Sequence, residues 1–75
     1  MSERDRIRWR CRRGLLELDL VLNEFLESRF EQLTTQQKVA LTQLLDLSDN
    51  DLWDLVIGRA EIEDAGCAEI VTMLR

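Results

Sequence analysis

An all-α fold, a compact five-helix bundle forming one small domain over residues 1–75, is predicted by three features of the sequence. Proline is absent and glycine occurs only at positions 14, 58 and 66, while leucine, glutamate, glutamine, arginine and alanine are abundant; these residues lose little side-chain freedom in a helix. Apolar residues recur three and four apart through most of the chain. Hydroxyl and carboxylate residues that suit helix starts punctuate that pattern.

The first segment is the least obvious. Residues 4–12 carry arginine at every second position, which is the period of a strand. A helix is predicted nonetheless. No other segment is strand-like, so a strand here would find no partner for its backbone groups. Ile7, Cys11, Gly14, Leu15 and Leu18 also fall at helical spacing, so that one apolar stripe runs across a corner at Gly14.

The second helix is predicted over residues 15–33, with Leu15, Leu18, Leu22, Phe25, Leu26, Phe30 and Leu33 on one face. Thr34 followed by Gln37 forms a capping box, which starts a third helix. Its apolar face is Ala40, Leu41, Leu44 and Leu45, and it is expected to end near Leu47. Ser48, Asp49, Asn50 and Asp51 place acids at the start of a short fourth helix carrying Leu52, Trp53, Leu55, Val56 and Ile57. Gly58 suits the residue just past its end. A last helix follows Asp64, with Cys67, Ile70, Val71 and Leu74 on one stripe. Phe25 and Trp53 are expected in the core, where large apolar side chains at helical spacing belong.

A chain of 75 residues holds one core, whose net contribution is about 3–5 kcal/mol. Cys11 and Cys67 lie near opposite ends and form no C-x-x-C pair, so redox-motif and zinc-ribbon readings fail and two reduced, buried thiols are expected. No stretch is apolar enough to cross a bilayer. The N-terminus lacks the hydrophobic run of a secretory signal, and Glu3 and Asp5 interrupt the basic run that a transit peptide needs; a cytoplasmic protein is expected. The net charge of −5 conceals an asymmetry. Residues 1–13 hold six arginines against Glu3 and Asp5, a net of +4, and residues 14–75 carry −9. A basic arm on an acidic body fits nucleic acid, an acidic partner surface or an intramolecular contact.

Enzyme chemistry is poorly served. Histidine is absent, so there is no Ser–His or Cys–His pair and no ordinary general base near neutral pH. No glycine-rich phosphate loop is present. Asp49, Asp51 and Asp54 lack EF-hand spacing and are read as helix-start capping and solvation. For the arginine run, the acidic body opposes approach to a polyanion and only one aromatic is interleaved, which disfavours nucleic acid; docking to an acidic or carbonyl-rich surface suits the guanidinium fork better. Trp9, between Arg8 and Arg10 and off the Ile7–Cys11 stripe, either folds back onto the body or stands out as an anchor. Arg13 and Glu17 are four apart and on one continuous helix would pair for about 0.3 kcal/mol. Gly14 between them argues instead for a corner where another backbone comes close.

These residues carry a resemblance. Arg6, Ile7, Trp9, Cys11, Arg12, Arg13, Gly14, Glu17, Leu18, Asp19 and Leu20, at their spacing in this chain, resemble the SdhE/YgfY family, the bacterial relatives of succinate dehydrogenase assembly factor 2. The Arg-x-x-x-Glu core with its glycine reads Arg13, Gly14 and Glu17 here. The likeness is tight over about the first 26 residues. Beyond them it is one of pattern: a Thr-capped helix, then Leu44, Leu45, Asp49, Asp51 and Leu52. Members of that family often run several residues past the position of Arg75, and that tail is not expected to matter.

The resemblance implies a five-helix, non-enzymatic assembly factor or chaperone. It would bind the flavoprotein subunit of succinate dehydrogenase, or of fumarate reductase, and promote covalent attachment of FAD to a histidine of that partner. Arg13, Gly14 and Glu17 carry over as partner-binding residues, and Arg6, Trp9, Arg12 and Asp19 match flanking positions. FAD would belong to the partner, with no cofactor held stably by this chain. A monomer, neither inserted in a membrane nor bound to nucleic acid, is expected. The alternative is a nucleic-acid-binding or antitoxin-type regulator using the basic first helix, since some members of the family have been so labelled.

Overall fold

The computed structural model describes residues 2–75. Five α-helices follow one another: α1 (Glu3–Arg10), α2 (Leu16–Arg29), α3 (Thr35–Leu44), α4 (Asp49–Val56) and α5 (Ala65–Leu74), with a 3₁₀ turn over Phe30–Gln32 closing α2. No strand occurs among the described residues. The Cα radius of gyration is 11.3 Å, about what a close-packed domain of this length should have.

The caps explain most boundaries. Ser2 and Asp5 form a capping box at the head of α1, and Thr34 and Gln37 form the expected one at the head of α3. The Ser48 and Asp64 side chains accept from the amides of Asp51 and Cys67 to start α4 and α5. At the end of α4 the Gly58 N–H donates to the Leu55 carbonyl and the Arg59 N–H to the Asp54 carbonyl. With Gly58 at φ +83°, this is a Schellman closure of the kind that favours glycine.

Two predicted ends differ. The helix expected to reach residue 33 ends as α-helix at Arg29, because Leu33 must be extended (φ −72°, ψ 139°) to enter the next capping box, and the last turn tightens to 3₁₀. α3 stops at Leu44 rather than near Leu47; the carbonyls of Leu45 and Leu47 are taken by the Arg13 side chain instead of by further helix.

The core is wholly apolar. Leu18, Leu22, Leu26, Leu41, Leu44, Leu52, Ile70 and Cys11 are its largest fully enclosed side chains. α3 packs most extensively on α5, and α1 lies against α2. Phe25 is buried, and Trp53 packs on the core while partly exposed. Both cysteines are free thiols and buried. Ile7 and Cys11 face inward from α1, continued by Leu18 and by half-buried Leu15 across the corner. The exposed Gly14 backbone bridges that stripe without belonging to it.

Candidate docking corner

The corner runs from the end of α1 to the start of α2. The Cys11 amide donates to the carbonyls of Ile7 and Arg8, which closes α1, and its side chain anchors the chain in the core. Burial pushes the Cys11 thiol up to about 11, against the opposing pull of Arg13 and Arg10. The chain then turns outward. Gly14 is exposed with φ +92°, and a Cβ added there would meet nothing within 4 Å. The glycine is therefore required by its backbone angle, not by crowding within the fold.

Asp19, on the first turn of α2, holds this turn from one side. Its carboxylate accepts from the Arg13 amide at 2.9 Å and from the Gly14 amide at 3.3 Å. Arg13 holds it from the other side. Its Nε donates to Asp49 Oδ1 at 2.6 Å, one terminal nitrogen to the Leu45 carbonyl at 2.8 Å and the other to the Leu47 carbonyl. A cation thus closes the C-terminal end of α3 and an anion stands at the N-terminus of α4, both favourable in the helix field. The Arg13 side chain is only 12% exposed. The sequence reading gave Arg13 donors to offer a partner; the fold uses those donors internally, and Arg13 builds the corner rather than projecting from it. Asp19, also predicted to face a partner, likewise acts as a brace. Asp49, read as a solvated helix-start acid, is half-buried and paired.

The other predicted residues lie outward. Glu17 is exposed on the first turn of α2 and forms no ion pair among the described residues, so the i, i+4 pair with Arg13 is not made. Trp9 is 68% exposed, which settles its two readings in favour of an outward side chain, and the Arg12 guanidinium lies 5.7 Å from its ring centre, within reach of a cation–π contact. Arg6 is exposed one helical turn before Trp9. Neither the Arg6 nor the Arg12 side chain has an acidic partner among the described residues. The remaining arginines of the arm are engaged within the fold. Arg4 and Arg8 reach Glu27 on α2, and Arg10 reaches Asp46 after α3. Arg8, ahead of Arg4, holds the Glu27 carboxyl below its ordinary range.

Two residues are not among the site residues that the sequence predicts. Leu16 and Leu20 are 66% and 60% exposed on α2. They fall off the stripe of Leu15, Leu18, Leu22 and Phe25, so their spacing was the signal. The chain on either side of the open glycine thus carries exposed groups, Trp9 with Arg12 before it and Leu16, Glu17 and Leu20 after it. The arrangement can seat a protein surface through apolar contact and directed charge. No helix of the described residues is long and apolar enough to cross a membrane.

A family model described as "Flavinator of succinate dehydrogenase" matches residues 5–75. Similar curated proteins include an FAD assembly factor SdhE of Methylococcus capsulatus, 40% identical over 100% of this chain and 90% of that protein. One from Vibrio vulnificus is 45% identical over 93% of this chain and 81% of its own. One from Coxiella burnetii is 40% identical over 93% of this chain and 85% of its own.

Proposed function

The chain belongs to the family of flavinators of succinate dehydrogenase, and from that premise we propose that it is an FAD assembly factor that docks its Gly14 corner on the flavoprotein subunit of that enzyme. It promotes covalent attachment of FAD there and does so without a catalytic group of its own. FAD stays with the flavoprotein throughout, fumarate reductase is a second client, and the adaptor acts as a monomer in the cytoplasm.

The observation that carries this reading is the open corner. Gly14 is exposed with free space beyond it, between an outward Trp9–Arg12 pair and an unpaired Glu17. A foreign backbone can approach the glycine while the flanking aromatic supplies the buried contact that interface hot spots favour. The braces from Asp19 and Arg13 keep the corner in one shape, so little order has to be imposed on binding.

The chemistry follows from binding alone. Covalent flavinylation requires the isoalloxazine ring held against the acceptor histidine in a reactive geometry, and such positioning lowers barriers substantially. An adaptor that prefers the flavoprotein conformer with that geometry shifts the population toward it. Arg6 and Arg12 orient the encounter with an acidic surface, an effect seen mainly in the association rate. Nucleic-acid binding through the arm is disfavoured, because Arg4, Arg8, Arg10 and Arg13 already have acidic partners in the fold.

The test is co-expression of the flavoprotein with wild type, Gly14→Arg or Glu17→Gln, reading covalent flavin by in-gel fluorescence. Both variants should give markedly weaker fluorescence while remaining folded by circular dichroism. Wild-type fluorescence from both would reject the corner as the docking surface.

A further inference from the structure

We infer that Asp49 is a positioning residue of the docking corner, acting through Arg13 and without touching the flavoprotein. The inference rests on the docking reading above and concerns what holds the docking surface in shape.

The corner contributes little packing of its own. Of residues 12–15, only Leu15 reaches the core, and Arg12 and Gly14 are exposed. Glycine visits both signs of φ readily, so an unbraced linker of this composition would sample several shapes. On the α2 side, the two amides held by Asp19 fix the backbone. Of residues 12–15, Arg13 is the one whose side chain bonds to the body, while Arg10, at the end of α1, reaches Asp46 separately. The three bonded nitrogens of Arg13 face Asp49 and the carbonyls of Leu45 and Leu47, and its side chain is 12% exposed. Those donors are not available to a partner. Their effect on docking has to pass through the shape of the corner.

Asp49 is the charged member of that acceptor set. It opens α4, but the cap there is Ser48, which accepts from the Asp51 amide. The Asp49 carboxylate is therefore free to receive the Arg13 Nε–H at 2.6 Å. The carbonyls alone would leave a mostly enclosed guanidinium without a counter-charge, which is costly. Arg13 would then be drawn toward solvent, taking the corner with it.

A population argument sets the expected result. If loss of Asp49 leaves the docking-competent corner a minor state, apparent affinity falls by that fraction, and excess adaptor restores the bound complex. In a titration of purified flavoprotein with FAD and adaptor, Asp49→Ala should raise the half-saturating adaptor concentration about tenfold while the plateau flavinylation rate stays near wild type. Asp49→Glu, which restores the carboxylate, should recover most of the shift. In ¹⁵N–¹H spectra of the free adaptor the Gly14 amide should move in Asp49→Ala, and that of Gly66, beside Asp64 and Ala40, should not. Should Asp49→Ala fail to fold, Asp49→Asn, nearly isosteric but uncharged, is read in its place with the same direction of shift.

A folded Asp49→Ala that titrates like wild type, or a Gly14 amide that does not move, overturns the positioning role. Glu17→Gln and Gly14→Arg in the same titration separate the two ideas. If they dock poorly while Asp49→Ala docks normally, only the role of Asp49 falls. If they too titrate like wild type, the corner is not the docking surface and both readings fall together.

Discussion

Substitution of Gly14 by alanine and by asparagine separates the two demands placed on that position, because the fold and the partner rank the replacements in opposite orders. Within the fold, Gly14 has φ +92° and open space where a Cβ would stand. No clash arises, and the cost is the left-handed backbone alone, about 1–2 kcal/mol for an ordinary L-residue. Asparagine tolerates that region better than alanine. For a domain of this size each 1 kcal/mol lowers Tm by about 4–8 °C, so alanine should lower Tm by about 4–16 °C and asparagine by less. At the partner surface the order reverses, since asparagine is larger and obstructs close approach more. Thermal unfolding by circular dichroism gives the first ranking. Initial flavinylation rates at a temperature where all three proteins are folded give the second. The reasoning requires alanine to be the less stable variant and asparagine the less active one. If activity instead follows stability, with alanine worse on both scales, Gly14 serves the fold only and close approach of a partner backbone is wrong.

Other consequences are more direct. Arg13→Ala strips the Asp49 carboxylate and the carbonyls of Leu45 and Leu47 of their shared donor; about 2–4 kcal/mol should be lost, most of the stability of the domain, and urea unfolding should show it as a fall in midpoint at unchanged slope. The thiols of Cys11 and Cys67 are both pushed up, chiefly by burial, so the native protein at pH 8 should resist alkylation that proceeds quickly once urea exposes both sites; fast native labelling of Cys11 would contradict its place in the core. Glu27 is held below its ordinary value of 4.5 by Arg8 and Arg4, and Asp64 below 3.8 by the Cys67 amide. The unfolded chain therefore binds more protons on acidification, so the stability these groups contribute is present above about pH 4.5 and is lost as pH falls through their folded values; Glu27→Gln should flatten the acid limb of a Tm-against-pH curve.

What the sequence disclosed depended on how local the interaction is. The capping box of Thr34 and Gln37, the terminator at Gly58 and the start at Asp64 are contacts within a few residues, and spacing alone reveals them. The buried stripe of Leu18, Leu22, Phe25 and Leu26 is a periodic signal and was legible for the same reason. Arg13 and Asp49 are 36 positions apart, and nothing in a single chain marks one acid among many as the partner of one arginine among six. The early end of α3 was hidden by the same contact, since the carbonyls that ended it are satisfied from the far corner. Trp9 lay off the apolar stripe, which was compatible with exposure, but a neighbouring surface could have covered it.

The charge asymmetry takes on a different meaning once the pairs are known. An arm of +4 on a body of −9 suggests a free polycation, yet Arg4, Arg8, Arg10 and Arg13 are laid against Glu27, Asp46 and Asp49. Most of these pairs are exposed, and such pairs contribute about 0–1 kcal/mol each and weaken with salt. The Arg13 pair differs because its arginine is enclosed and its other donors are also satisfied. The arginines of the arm thus divide by partner into a sewn set and two unpaired among the described residues, Arg6 and Arg12, which flank Trp9 in the sequence. At physiological salt fields decay over about 8 Å, so an approaching protein senses those two arginines locally more than the net charge of the whole molecule. An acidic patch on the partner can therefore be drawn to the corner although the adaptor as a whole is acidic, whereas a long polyanion would span both those arginines and the acidic body and gain little.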